Sequence, residues 1–160
     1  MKNTRVPLVA ALLASLATPA LAGDKAINLS LFTPVSIAKE DDSVSAFRFS
    51  LIYGKNTSVQ VVDIGLVSHT TSGLSKGLAW SGVNLAEGDF KGLQVGTVNV
   101  VKGSFEGLEW GFVNYAQNAE GLQFGFVNYA QTLHGVQIGL VNIIKQDGFL
   151  PVFPIVNWSF

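Results

Sequence analysis

The sequence predicts an all-β protein: an antiparallel outer-membrane-type β-barrel of about 8–10 strands, with a parallel β-solenoid as the alternative. Three observations lead there. A short motif recurs every 14–16 residues. Each copy alternates in side-chain size and polarity with the strand period of two. After residue 22, no apolar run reaches the roughly 20 residues that a membrane-spanning helix needs.

Residues 1–22 read as a secretory signal peptide. Lys2 and Arg5 form a basic start, Val6 to Thr18 is mainly apolar, and Ala20, Leu21, Ala22 offer an A-x-A cleavage site. Residues 23–160 then form a single repeat-built β domain of 138 residues. A strand-like segment, Ile27 to Ile37, opens it.

Two degenerate copies of the motif follow, Phe47 to Tyr53 and Val62 to Ser68. Six clear copies come next: Leu78 to Asn84, Leu93 to Asn99, Leu108 to Asn114, Leu122 to Asn128, Val136 to Asn142 and Pro151 to Asn157. A period this short and regular is an architecture. Alternation places Leu122, Phe124, Phe126 and Asn128 on one face, and Gln123, Gly125 and Val127 on the other. Links such as AEGDFKG, KGSFEG, QNAEG and QTLHG have turn composition.

As a barrel, the Leu/Phe/Trp face meets lipid, and Arg48, Asp63, Gln94, Glu109, Gln123 and Gln137 fill a narrow interior. The closing alternation of Val156, Trp158 and Phe160 resembles the terminal strand by which outer-membrane barrels are recognised, with Pro154 as a departure. As a solenoid, each copy is one rung. Asn84, Asn99, Asn114, Asn128 and Asn142 then stack as a hydrogen-bonded ladder, with Gly121 and Gly125 as corners. A repeat unit of one strand favours parallel stacking, because antiparallel neighbours put equivalent Asn residues at alternate ends.

The composition narrows the partners. Without Lys2 and Arg5 the chain keeps 8 Lys+Arg against 11 Asp+Glu, a net charge of −3. No basic patch invites nucleic acid. The chain has no Cys, so disulfides do not hold it.

The units GLQVGTVN, GLEWGFVN, GLQFGFVN and GVQIGLVN resemble those of bacterial exported "surface repeat" proteins, over about Leu78 to Phe160. The resemblance implies a surface or outer-membrane location and no reaction. A looser likeness is to curlin repeats: Gln123, Gly125, Asn128 and Ala130 match Q-x-G-x-x-N-x-A, although the curlin unit is longer and opens on a Ser absent here.

No catalytic, cofactor-binding or metal-ligating residues are expected. His69 and His134 lie 65 residues apart in expected turns, without ligand spacing. Glu40, Asp41 and Asp42 read as a solvated acidic loop, too few for calcium. No G-x-S-x-G element presents a nucleophile, and no G-x-G-x-x-G or P-loop is present. The expectation is a non-enzymatic outer-membrane or cell-surface structural or interaction protein, with outer-membrane lipid as partner. The alternatives are a secreted solenoid that binds a partner or self-assembles, and a small pore.

Overall fold

The computed structural model describes residues 24–160, so the signal-peptide reading lies outside the described residues. Ten strands form one linear sheet: β1 (Asp24–Phe32), β2 (Val35–Ser36), β3 (Ser43–Asn56), β4 (Gln60–Thr70), β5 (Leu74–Ala86), β6 (Asp89–Val95), β7 (Val98–Trp110), β8 (Val113–Phe124), β9 (Val127–Gln146) and β10 (Val152–Ser159). No helix forms among the described residues.

The chain is a parallel β-solenoid. From β3 to β9 every pairing between neighbours is parallel, and motif residues sit on motif residues: Leu78 on Leu93, Leu108 on Leu122, Asn99 on Asn114. The column Asn28, Arg48, Asp63, Ala79, Gln94, Glu109, Gln123, Gln137 counts the eight coils. This overturns the antiparallel barrel. The sheet runs from β2 to β10 without closing on itself. The residues expected to line a lumen, Arg48, Asp63, Gln94, Glu109, Gln123 and Gln137, are packed inside the coils. They leave no barrel interior through which a pore could conduct.

Two glycines shape each of the later coils. The first, at Gly77, Gly92, Gly107, Gly121 and Gly135, has φ between 107° and 148°. That left-handed backbone excludes most side chains. The second, at Gly96, Gly111, Gly125 and Gly139, turns a corner against the Asn ladder. A Cβ on Gly111 would stand 2.6 Å from the Gly96 oxygen and 2.7 Å from Asn99 Nδ2. The expected corners at Gly121 and Gly125 are therefore correct.

The corner also corrects the predicted faces. Leu122 and Phe124 point outward and Gln123 inward, but the chain bends at Gly125 and the alternation restarts. Asn128 consequently points inward with Gln123, while Phe126 stays outside.

The ends differ from the repeat. The expected opening strand is two strands, β1 and β2, joined by a turn. Beyond them Ala38 is buried and donates its N–H to Asn28 Oδ1 at 3.1 Å. At the other end, the copy Pro151 to Asn157 is not a rung. Strand β10 pairs antiparallel with β9, placing Asn157 opposite Gln137. It carries a bulge around Pro154, where a ladder N–H is missing. Phe149 stacks on Trp158 at 4.5 Å and folds over this end. The aromatic terminus is a cap on the solenoid.

The core is thin and unusually polar. A file of apolar residues, including Phe90, Val101, Phe105, Ala116, Ala130 and Ile144, runs beside stacked amides. Asn84, Asn99, Asn114, Asn128 and Asn142 form the anticipated ladder, each of the first four amides donating to the next Oδ1 at 2.8 Å and Asn142 ending it on the Gly139 and Phe153 carbonyls. Each Nδ2 also donates to a backbone carbonyl of the next coil, as Asn114 does to Phe124 O at 2.9 Å. Both amide hydrogens are thus used, and burial carries no donor penalty.

Candidate functional site

Strand pleat and corner together decide what faces water on one side of the solenoid. Just before each corner glycine an outward residue forms a ridge: Ile64, Trp80, Val95, Trp110, Phe124, Ile138. Just after it a second ridge forms: Leu66, Gly82, Thr97, Phe112, Phe126, Leu140. Between them runs a floor of Gly65, Ser81, Gly96, Gly111, Gly125 and Gly139. The result is a groove of about 760 Å³, closed at one end by Ile155. Six coils at about 4.8 Å each make it about 24 Å long from first to last.

No charged residue lines the groove. Its walls are large and exposed: Trp80 is 60% exposed, Phe112 57% and Leu140 63%. Phe112 and Phe126 stack at 4.7 Å, and Trp110 meets Phe124 edge-on at 6.1 Å, so the walls are ordered side-chain files. Backbone donors along the middle of the floor are already used. Gly96, Gly111 and Gly125 each give their N–H to a carbonyl of the next coil. Among the lining side chains Thr97 brings a hydroxyl to the groove, while the Ser81 hydroxyl is buried inside the coil. Recognition in this groove is by apolar contact. An apolar surface this continuous marks a place where something binds. The solvated face differs: Lys76, Lys91, Glu106 and Glu120 stack there, with Lys91 and Glu106 paired at 2.6 Å.

Sequence reasoning saw the large apolar face but read it as lipid-facing barrel wall. The signal for a groove was present in the constant Gly between two variable apolar positions. Which coil each Gly would lie against was not.

The coils nearest the N-terminus hold a buried ionic network. Arg48 is fully buried and forks onto Asp63, with Nε to Oδ1 at 2.8 Å and Nη2 to Oδ2 at 2.6 Å. Nη2 also donates to Ser68 Oγ, and Nη1 to Asn56 Oδ1 and the His69 carbonyl. Ser68 closes the network with a short hydrogen bond to Asp63. All five guanidinium hydrogens have acceptors, which is what makes a buried charge tolerable.

Farther along, Glu109 is buried with no cation beside it. Burial pushes its carboxyl up to about 8, opposed in part by the amide of Gln123, which donates to Oε2 at 2.6 Å. Glu109 Oε1 and Gln94 Oε1, on neighbouring coils, both lack a protein partner. A neutral carboxyl carries the donor that such a pair needs.

The histidines are not turn residues. His69 lies on β4, its Nδ1 2.7 Å from Tyr53 Oη and its Nε2 3.2 Å from Glu87 Oε1. The His69 ring, and after it Lys102, hold the Glu87 carboxyl below its usual range. This chain of contacts is a missed feature, for its members are 16 and 18 residues apart and meet only because coils stack. His134 lies on β9 and meets the Phe160 ring edge-on at 6.4 Å. Glu40 pairs with Lys55 at 2.8 Å, and Asp42 accepts the Lys39 N–H at 2.9 Å, so the acidic run is built into the N-terminal loop. No group of three or more potential metal ligands occurs among the described residues.

Comparison with family models, with curated proteins and with solved structures returned no match.

Proposed function

We propose that this protein is a non-enzymatic, exported β-solenoid of the bacterial outer membrane or cell surface, whose uncharged groove holds an apolar partner. One observation carries the reading: two parallel, mainly apolar ridges, with exposed Trp80, Trp110, Phe112, Phe124, Phe126 and Leu140, run along six coils with no charge between them. Exposing that much apolar surface costs solubility, and a binding role offsets the cost. Repetition supports it as well. The groove presents similar chemistry at every coil, which suits a linear surface and not a single reacting centre. The likeness to exported surface repeat units, carried by Leu78 to Phe160, supports the location.

Trp80 and Trp110 are in the groove and Trp158 is in the cap, which makes emission a usable reporter. The test is binding of the apolar dye 1-anilinonaphthalene-8-sulfonate to the wild type and to Trp110→Ser/Phe126→Ser. The expected result is strong dye emission from the wild type and a large loss in the variant, with unchanged circular dichroism. Equal binding by both would remove the groove from the reading. Recovery of the protein in the cytoplasm would remove export.

A further inference from the structure

The second ridge of the apolar groove has a shape that matches itself, and the argument rests on the groove's being a docking surface, as proposed above. The second ridge is not uniform. Leu66 begins it, Gly82 and Thr97 form a notch, and Phe112, Phe126 and Leu140 stand tall. Turn a second copy end for end about a two-fold axis between the coils of Thr97 and Phe112. Thr97 then faces the other copy's Phe112, Gly82 faces its Phe126, and Leu66 faces its Leu140. On this ridge Phe112 and Phe126 enter the other copy's notch in both directions, while on the first ridge the same axis sets Trp80 against Phe124 and Val95 against Trp110 in apolar contact.

We propose that this groove is the interface of an antiparallel two-fold dimer of this chain. The area is sufficient. The seven large side chains of the two ridges are 44% to 63% exposed. At about 200 Å² each they offer about 800 Å² per copy, one side of a standard stable interface. Charge agrees: the lining carries none, so two copies meet without repulsion or stranded ions. The ends favour lateral pairing over stacking end to end. Strand β10 closes one end in antiparallel sense with Pro154 in its bulge, and the Ala38 loop folds over the other.

The test is sedimentation velocity of the purified protein without detergent, alone and as the outward-facing variants Thr97→Lys and Phe112→Glu. The wild type should be a dimer at micromolar concentration. Each variant alone should dimerise at least about 30-fold more weakly, because it buries an unpaired charge. An equimolar mixture should recover a heterodimer, since the ammonium introduced in one copy then faces the carboxylate introduced in the other. Unchanged thermal melts of the variants would show that folding is not the cause. A wild-type dimer indifferent to both variants would overturn this interface. A strictly monomeric wild type would overturn the dimer itself. If that monomer binds neutral phosphatidylcholine vesicles through Phe112, the groove remains a docking surface with lipid as occupant. If it binds neither vesicles nor dye, the docking reading falls too.

Discussion

Glu109 lends itself to a quantitative test through its replacement by Gln. The change keeps the shape and continues the amide column of Gln94, Gln123 and Gln137. In the unfolded chain a glutamate gives up its proton near 4.5, whereas in the coil Glu109 holds it to about 8. Between those values the unfolded state binds fewer protons than the native state, so stability falls as pH rises. At about 1.4 kcal/mol per pH unit, the full gap corresponds to a loss of about 5 kcal/mol, absent below about pH 4.5 and complete above about pH 8. Gln does not titrate, and its amide supplies the donor that Gln94 Oε1 lacks. The assay is urea unfolding by circular dichroism at steps from about pH 5 to about pH 8. Other ionisable groups act on both proteins alike, so the difference between the two curves isolates Glu109. E109Q should gain on the wild type steadily across that range, reaching several kcal/mol at the upper end. A difference that stays constant with pH would refute a neutral Glu109 in the native state.

Three other outcomes follow from the coils. Asn114→Ala interrupts the middle of the ladder, leaving one amide hydrogen of Asn99 and the Oδ1 of Asn128 without their partner; it should cost about 2–4 kcal/mol in urea unfolding, against less for Asn84→Ala at the ladder's end. Arg48→Met leaves Asp63 buried without its cation and should cost about 3–5 kcal/mol by thermal melting, whereas Arg48→Met with Asp63→Leu should recover most of it. Val61 has φ of 88° at the position that Gly77 and Gly92 occupy in later coils, so Val61→Gly should raise stability by about 1 kcal/mol, read as a higher melting temperature.

The network around Arg48 also shows where sequence reading stops. Arg48 and Asp63 were recognised as inward residues because they share the alternation of Gln94 and Gln123. That they pair follows from their being one coil apart. The Tyr53, His69 and Glu87 contacts obey the same spacing, but nothing in their local sequence distinguishes them from exposed residues. A register shift between Ser50 and Tyr53 hides them further, because it sets Gly54, and not Tyr53, beside Ser68. In the early coils the repeat is degenerate, and counting along the chain misplaces residues by one.

By itself the sequence determined the strand period, the length of a coil, and the Gly and Asn positions that a closely stacked backbone demands. Those are local properties: a left-handed turn needs Gly, and an amide that repeats at one spacing can bond its own image. It did not determine the direction of the neighbouring strand. Alternation of large and small side chains is the same in parallel and antiparallel sheets, so a barrel wall and a solenoid coil are written in the same letters. Tertiary structure decided between them, by laying Asn99 on Asn114 and Leu108 on Leu122 in parallel register. It also decided which apolar residues stay outside. The bend at Gly125 interrupts the pleat, sends Asn128 inward and leaves Phe124 and Phe126 as the two walls of a groove. A corner leaves Phe126 outside and reverses the alternation from Val127 onward, and no count of alternating letters contains that reversal.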